Sequence, residues 1–152
     1  VTNLRMPNAT RPWQHVLEPL SGYLCVGAEL YEEHSTHKNQ AYNFGPDSNV
    51  NKNVGELIDE MEILWADSPG WQNKQISDEK KEANLLKLSC DKANIHLAWY
   101  PVMDFNETID FTMKWYSHFY FEEKAVFEFT QNQIGLYTEK AKKKGIKWAI
   151  DE

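Results

Sequence analysis

Apolar residues recur at three- and four-residue spacing through most of this chain, and stretches of strand length are few and short. That spacing limits the fold more than any other feature, because it leaves many helices and almost nothing with which to build a large sheet. From Pro19 onward, Leu20, Tyr23, Leu24, Gly27, Leu30 and Tyr31 mark an amphipathic helix, with Pro19 suited to the first helical position and Glu18 just ahead of it. A second helix opens at Asn53, where Glu56 completes a capping box, and carries Val54, Leu57, Ile58, Met61, Leu64 and Trp65 on one face. A short helix is expected over Asp91–Leu97. Asp104 and Glu107 cap a third long helix bearing Ile109, Thr112, Met113, Tyr116 and Tyr120, and a last one follows from near Glu122 to Lys144. Strands are expected at Ala41–Gly45, ended by the turn Gly45-Pro46-Asp47, and at Leu85–Leu88. Pro7 and Pro12 keep Val1–Gln14 extended or irregular, and Glu32–Gln40 and Asp67–Lys81 read as polar connections. The expectation is a helix-rich α/β fold with a few short strands, in one unit spanning residues 1–152.

Composition agrees with a globular chain: 41% hydrophobic and 26% charged residues over 152 positions is ordinary usage for one domain. No apolar run approaches the ~20 residues that cross a bilayer, and no charged-then-apolar leader precedes the first helix, so no membrane partner is expected. The chain starts at Val1 without a Met, which suggests a processed or excised piece of a longer protein. With 16 Lys+Arg against 23 Asp+Glu the net charge is −7, a poor balance for nucleic acid, whose binding depends on neutralising phosphates. Lys140, Lys142, Lys143, Lys144 and Lys147 do cluster, but at a helix C-terminus stopped by Gly145, where lysines offset the negative end of the dipole. Cys25 and Cys90 are far apart and lack a Cys-x-x-Cys partner, so neither a zinc site nor a disulfide framework is indicated. Two inert thiols in a reducing cytoplasm fit best.

Several chemistries are missing. The glycines stand at 22, 27, 45, 55, 70, 135 and 145, so there is no Gly-x-Gly pair for a dinucleotide loop, no P-loop and no Gly-x-Ser-x-Gly elbow. His34 and His37 beside Glu32 and Glu33 read as a solvated charged turn, because no third fixed ligand accompanies them. Tyr120 and Lys124 match Tyr-x-x-x-Lys, but at a helix junction near the end of the chain, where the pair reads as coincidence. No catalytic, cofactor-binding or metal-binding residue is assigned.

One stretch is more specific: Arg5-Met-Pro-Asn-Ala-Thr-Arg-Pro-Trp-Gln-His-Val-Leu-Glu-Pro-Leu-Ser-Gly-Tyr-Leu24. It resembles the CDP-glucose 4,6-dehydratases of the extended short-chain dehydrogenase/reductase family, and its Arg-Pro-Trp-Gln-His-Val-Leu-Glu-Pro run looks like the CDP-sugar branch. The resemblance continues through Ala41-Tyr-Asn-Phe-Gly-Pro46, Glu82–Leu88 with Asp91-Lys-Ala93, Thr112-x-x-Trp115-Tyr116, and Gln133-Ile134 with Tyr137. Leu97-Ala98-Trp99-x-Pro101 departs by one residue from the family's Leu-Gly-Trp-x-Pro.

The resemblance implies the C-terminal, substrate-binding portion of a longer NAD-dependent enzyme with a Rossmann-type fold. The NAD loop, the Tyr-x-x-x-Lys pair and the elimination acid and base would lie in an N-terminal half absent from this sequence. Family members oxidise C4 of the hexose, eliminate water across C5–C6 and return the hydride to C6, giving a CDP-4-keto-6-deoxy sugar for bacterial surface polysaccharides. This chain would hold the nucleotide end of the CDP-sugar, would be inactive and would not bind NAD alone, and would self-associate as a homo-oligomer through uncovered apolar surface. By resemblance, Arg11 corresponds to a diphosphate contact, Trp13 lies beside the nucleotide, and Glu82 matches a ribose-binding acid. Core packing is the other role open to Trp13, and backbone bracing to Arg11. Relatives place an arginine where this chain has Glu79, which leaves a second phosphate contact open to Arg5, Lys80 or Lys81. Two other readings remain: a free-standing binding module without catalysis, and the substrate domain of another sugar-nucleotide epimerase or dehydratase.

Overall fold

Local signals open two of the helices where the sequence places them. In the computed structural model, which describes residues 1–32, 36–65, 67–74, 85–122 and 125–150, helix α2 (Val54–Ile63) begins behind a complete capping box. Asn53 Oδ1 accepts the Glu56 amide at 2.8 Å, and Glu56 returns a carboxylate oxygen to the Asn53 amide at 2.9 Å. Helix α4 (Phe105–Ser117) repeats the device with Asp104 and Glu107, at 2.8 and 3.0 Å. Helix α3 (Asp91–Leu97) occupies the expected span and ends on Ala98 in the left-handed conformation. Helix α1 runs from Leu17 to Tyr31, starting two residues before Pro19.

Helix α5 differs at its start. It covers Val126–Lys143 rather than opening near Glu122, and a five-residue π turn, His118–Glu122, extends α4 through Tyr120. Its end follows the glycine signal. Gly145 at φ 71° donates to Lys142 O and Ile146 donates to Ala141 O, both at 3.0 Å, so the last carbonyls are satisfied and the chain turns Ile146 into the core.

The strand expectations fail. The described residues contain one sheet, a parallel pair of β1 (Thr2–Leu4) and β2 (Trp71–Asn73), in the register Thr2–Trp71, Asn3–Gln72 and Leu4–Asn73. Ala41–Gly45 forms no regular element and joins no ladder. The Phe44 carbonyl accepts from the Gln14 side chain at 2.9 Å, and the Asn43 side chain donates to Ser89 O at 3.2 Å. Leu85–Leu88 contributes a single bridge, Leu85 to Thr10.

The core forms three neighbouring clusters. Val102, Met103, Phe111, Tyr137, Ala141, Ile146 and Ala149 join the ends of α4 and α5; Phe44, Ala93, Leu97 and Trp99 pack under α1; Phe105, Ile109 and Met113 pack against α2. Helix α1 is turned opposite to its apolar pattern. It buries Glu18, Ser21 and Gly22, while Leu20, Tyr23, Leu24 and Tyr31 stay exposed. A Cβ on Gly22 would stand 2.4 Å from the Phe44 ring, so only glycine permits this approach. Among the described residues no helix is long and apolar enough to cross a membrane.

Candidate functional site

The segment that carries the resemblance is strapped to the start of α2. Pro7 and Ala9 carbonyls accept the amides of Gly55 and Val54 at 2.9 and 3.0 Å, two donors that the first turn of a helix leaves unmet. Thr10 bridges Asn53 on one side and Leu85 on the other. Arg11 therefore sits on a braced backbone, half-buried, with its guanidinium donating to Thr10 O at 2.8 Å. It lines a shallow depression together with Pro12, Asp47, Ser48, Asn51 and Lys87.

Trp13 and Arg5, also expected at the site, do not line that depression. Trp13 packs against the Phe105–Ile109–Met113 cluster, and its indole donates to Lys52 O at 3.0 Å. That is the core-packing role. Arg5 is exposed just beyond β1 and is not among the residues lining the depression. Glu82, with Glu79, Lys80 and Lys81, lies outside the described residues.

A buried polar cluster went unnoticed in the sequence. Glu18 is 1% exposed and accepts from the amides of Val102 (3.0 Å) and Met103 (2.7 Å) and from the Tyr137 hydroxyl (2.9 Å). Tyr137 also lies 3.1 Å from Ser21 Oγ, which receives the Trp99 indole at 2.9 Å and donates to Glu18 O. Burial pushes the Glu18 carboxyl above its ordinary range, against the pull of the Val102 and Met103 amides, Tyr137 and Lys144. Burial also raises the Tyr137 phenol, as does the Glu18 charge beside it. The only sequence cue was an acid inside an apolar run, between Leu17 and Pro19. With its acceptors filled by main-chain amides and a phenol, Glu18 is a tie rather than a proton donor.

His15 is buried and pushed below the usual imidazole range by that burial; its Nδ1 faces the Leu17 amide at 3.3 Å. His37 is not part of a merely solvated turn. Its Nδ1 is 2.7 Å from the Tyr42 hydroxyl and its Nε2 is 3.7 Å from Glu29, while His34 and Glu33 lie outside the described residues. Cys25 is pushed up to about 11, chiefly by burial, and Cys90 is raised for the same main reason, so both thiols stay protonated near neutrality. Tyr120 is exposed on the π turn and Lys124 lies outside the described residues. Among the described residues no group of three or more His, Cys, Asp or Glu is placed to hold a metal ion.

No family model matches the chain. Among curated proteins it is similar to the CDP-glucose 4,6-dehydratase of Salmonella typhimurium (strain LT2), 42% identical over 113 residues, which are 74% of this chain. The chain is homologous to a CDP-glucose 4,6-dehydratase. The resemblance read from Arg5–Leu24 is borne out by that match. The matched stretch spans 31% of the dehydratase, so about two thirds of that enzyme has no counterpart in the alignment. Helix-rich α/β architecture with a small parallel sheet is what the structure contributes to the same picture.

Proposed function

We propose that this chain forms the nucleotide-sugar-binding part of a dehydratase that acts on CDP-glucose. The observation that carries the proposal is the 42% identity to the Salmonella enzyme. Arg11 supports it: a guanidinium on a braced segment, at the edge of a depression, can offer paired charge-assisted bonds to a phosphate at low ordering cost. In this reading the nucleotide end is held here, and the hexose is thereby aimed at reacting groups supplied by other residues of a longer polypeptide.

The residues present do not fit NAD. Neither strand of the parallel pair leads into a glycine-rich turn, since β1 is followed by Arg5-Met-Pro-Asn and β2 by a stretch without glycine through residue 134. No step through NAD is assigned to this chain, and NAD in the proposed enzyme is held elsewhere. The exposed apolar face of α1 fits a surface covered by the rest of such a polypeptide or by a second copy in a homo-oligomer. Two cysteines outside any disulfide fit a reducing cytoplasm as its place of work.

The test is steady-state kinetics on the full natural polypeptide that contains this sequence, with CDP-glucose and with UDP-, GDP- and dTDP-glucose as controls. CDP-glucose is expected to be dehydrated in preference to the others. Arg11→Ala should cost about 30- to 1000-fold in kcat/KM, with Arg11→Lys recovering only part, and NAD affinity should not change. Parental kcat/KM in Arg11→Ala would make Arg11 a bracing residue. Tight CDP binding without any dehydration would favour the non-catalytic binding module instead.

A further inference from the structure

The depression beside Arg11 contains a second cation. Arg11 and Pro12 line it from the extended segment, Asp47, Ser48 and Asn51 from the turn ahead of α2, and Lys87 from the segment after the Leu85 bridge. The two cations are held differently. Arg11 is fixed by Thr10 O at 2.8 Å, whereas the exposed Lys87 ammonium rests 3.5 Å from Ser48 O, at the long limit of a hydrogen bond. An ammonium bound so loosely gives up little in moving to a stronger acceptor.

A planar fork and an adjustable point charge are complementary means of holding two linked phosphoryl groups. Asp47 adds one negative charge to the rim, but its Oδ1 already accepts the Asn49 amide at 2.9 Å, which ties that carboxylate to its own turn. Among the described residues that line the depression, the charged groups are Arg11, Lys87 and this engaged carboxylate. The depression holds only about 20 Å³, room for one oxygen and not for a ring. A ligand here is thus a phosphoryl group seated on the rim, with its sugar and base beyond it.

We infer that Lys87 is the second diphosphate-binding residue, acting with Arg11 on the diphosphate of the nucleotide sugar; this rests on the reading of Arg11 given under the proposed function. Of Lys87 and Arg5, it is Lys87 that lines the depression with Arg11.

Calorimetric titration of the full natural polypeptide with CDP and with cytidine tests the inference, using the parent, Lys87→Ala, Lys87→Arg and Arg11→Ala. Lys87→Ala is expected to weaken CDP about 10-fold and to leave cytidine binding unchanged, with Lys87→Arg close to the parent. Raising the salt concentration should weaken CDP less in Lys87→Ala than in the parent. Because Lys87 is exposed, thermal melting should not move. Parental CDP affinity in Lys87→Ala, alongside weakened binding in Arg11→Ala, would overturn the role of Lys87 and leave the nucleotide-sugar reading standing. An equal loss of CDP and cytidine in Lys87→Ala would overturn it too, since the contact would then not be to phosphate. A parent that binds no CDP would overturn both.

Discussion

Replacing Glu18 tests whether the buried polar cluster holds this fold together. In Glu18→Ala the amides of Val102 and Met103 lose their acceptor in a site that is 1% exposed, while Tyr137 can still donate to Ser21 Oγ at 3.1 Å. Two orphaned donors at about 1–3 kcal/mol each, less the relief of no longer burying a carboxylate, leave a net loss of about 3 kcal/mol. Glu18→Gln should cost only about 1 kcal/mol. One amide oxygen can serve both backbone donors, and the new NH2 can donate to the Tyr137 oxygen once that hydroxyl turns its proton to Ser21. Urea unfolding followed by tryptophan fluorescence reads both values. The sign of the pH dependence follows from the raised carboxyl. The folded state holds its proton more tightly than the unfolded chain, whose ordinary value is 4.5, so the contribution is complete below that value and is lost as pH rises through the folded one. Glu18→Gln should abolish this decline. If Ala costs no more than Gln, or if both lie below about 0.5 kcal/mol, the cluster does not tie the helices together.

Gly22→Ala should destabilise by about 1–2 kcal/mol net, because its Cβ would meet the Phe44 ring at 2.4 Å and that ring is backed by Trp99 at 4.9 Å. A urea midpoint at or above the parental one would mean that the ring gives way and the helical preference of alanine dominates. For His15 the sign runs the other way. Its folded value lies below the ordinary 6.5, so the unfolded chain takes up the proton first and stability is lost as pH falls through 6.5 towards the folded value. His15→Gln should flatten the stability profile as pH falls below 6.5, and an unchanged slope would locate the sensitivity elsewhere.

What the sequence revealed was local. Asn53 with Glu56 and Asp104 with Glu107 are three residues apart, and both pairs close as capping boxes. Gly145 marks the end of α5 for an equally local reason. The sheet was hidden because β1 and β2 are three residues each, carry no alternation, and meet across 69 positions. Phe44 misled in the other direction. Its neighbourhood has strand composition, but the ring is used to fill the notch at Gly22 and the Phe44 carbonyl accepts from the Gln14 side chain. Helix α1 shows the limit of apolar patterning, since its buried face is the polar one. For the site, Arg11 entered by family resemblance and the structure adds its bracing. Lys87 lies within the Glu82–Leu88 run of the resemblance, but its place beside Arg11 was not legible there, because the two meet across 76 positions at the depression they both line.

The Glu18 cluster also sets an order of events during synthesis. Its carboxylate leaves the ribosome ahead of all its partners: the amides are 84 and 85 residues downstream and the phenol is 119 residues downstream. At about 5–20 residues per second, Glu18 waits roughly 6–24 s before Tyr137 has been made. Until then, seating α1 would bury an anion with its acceptor sites unfilled, so the nascent helix keeps that side in water. A chain that stops short of Tyr137 never leaves that state, and a nonsense mutation anywhere in α5 ahead of it should yield a product cleared by proteases.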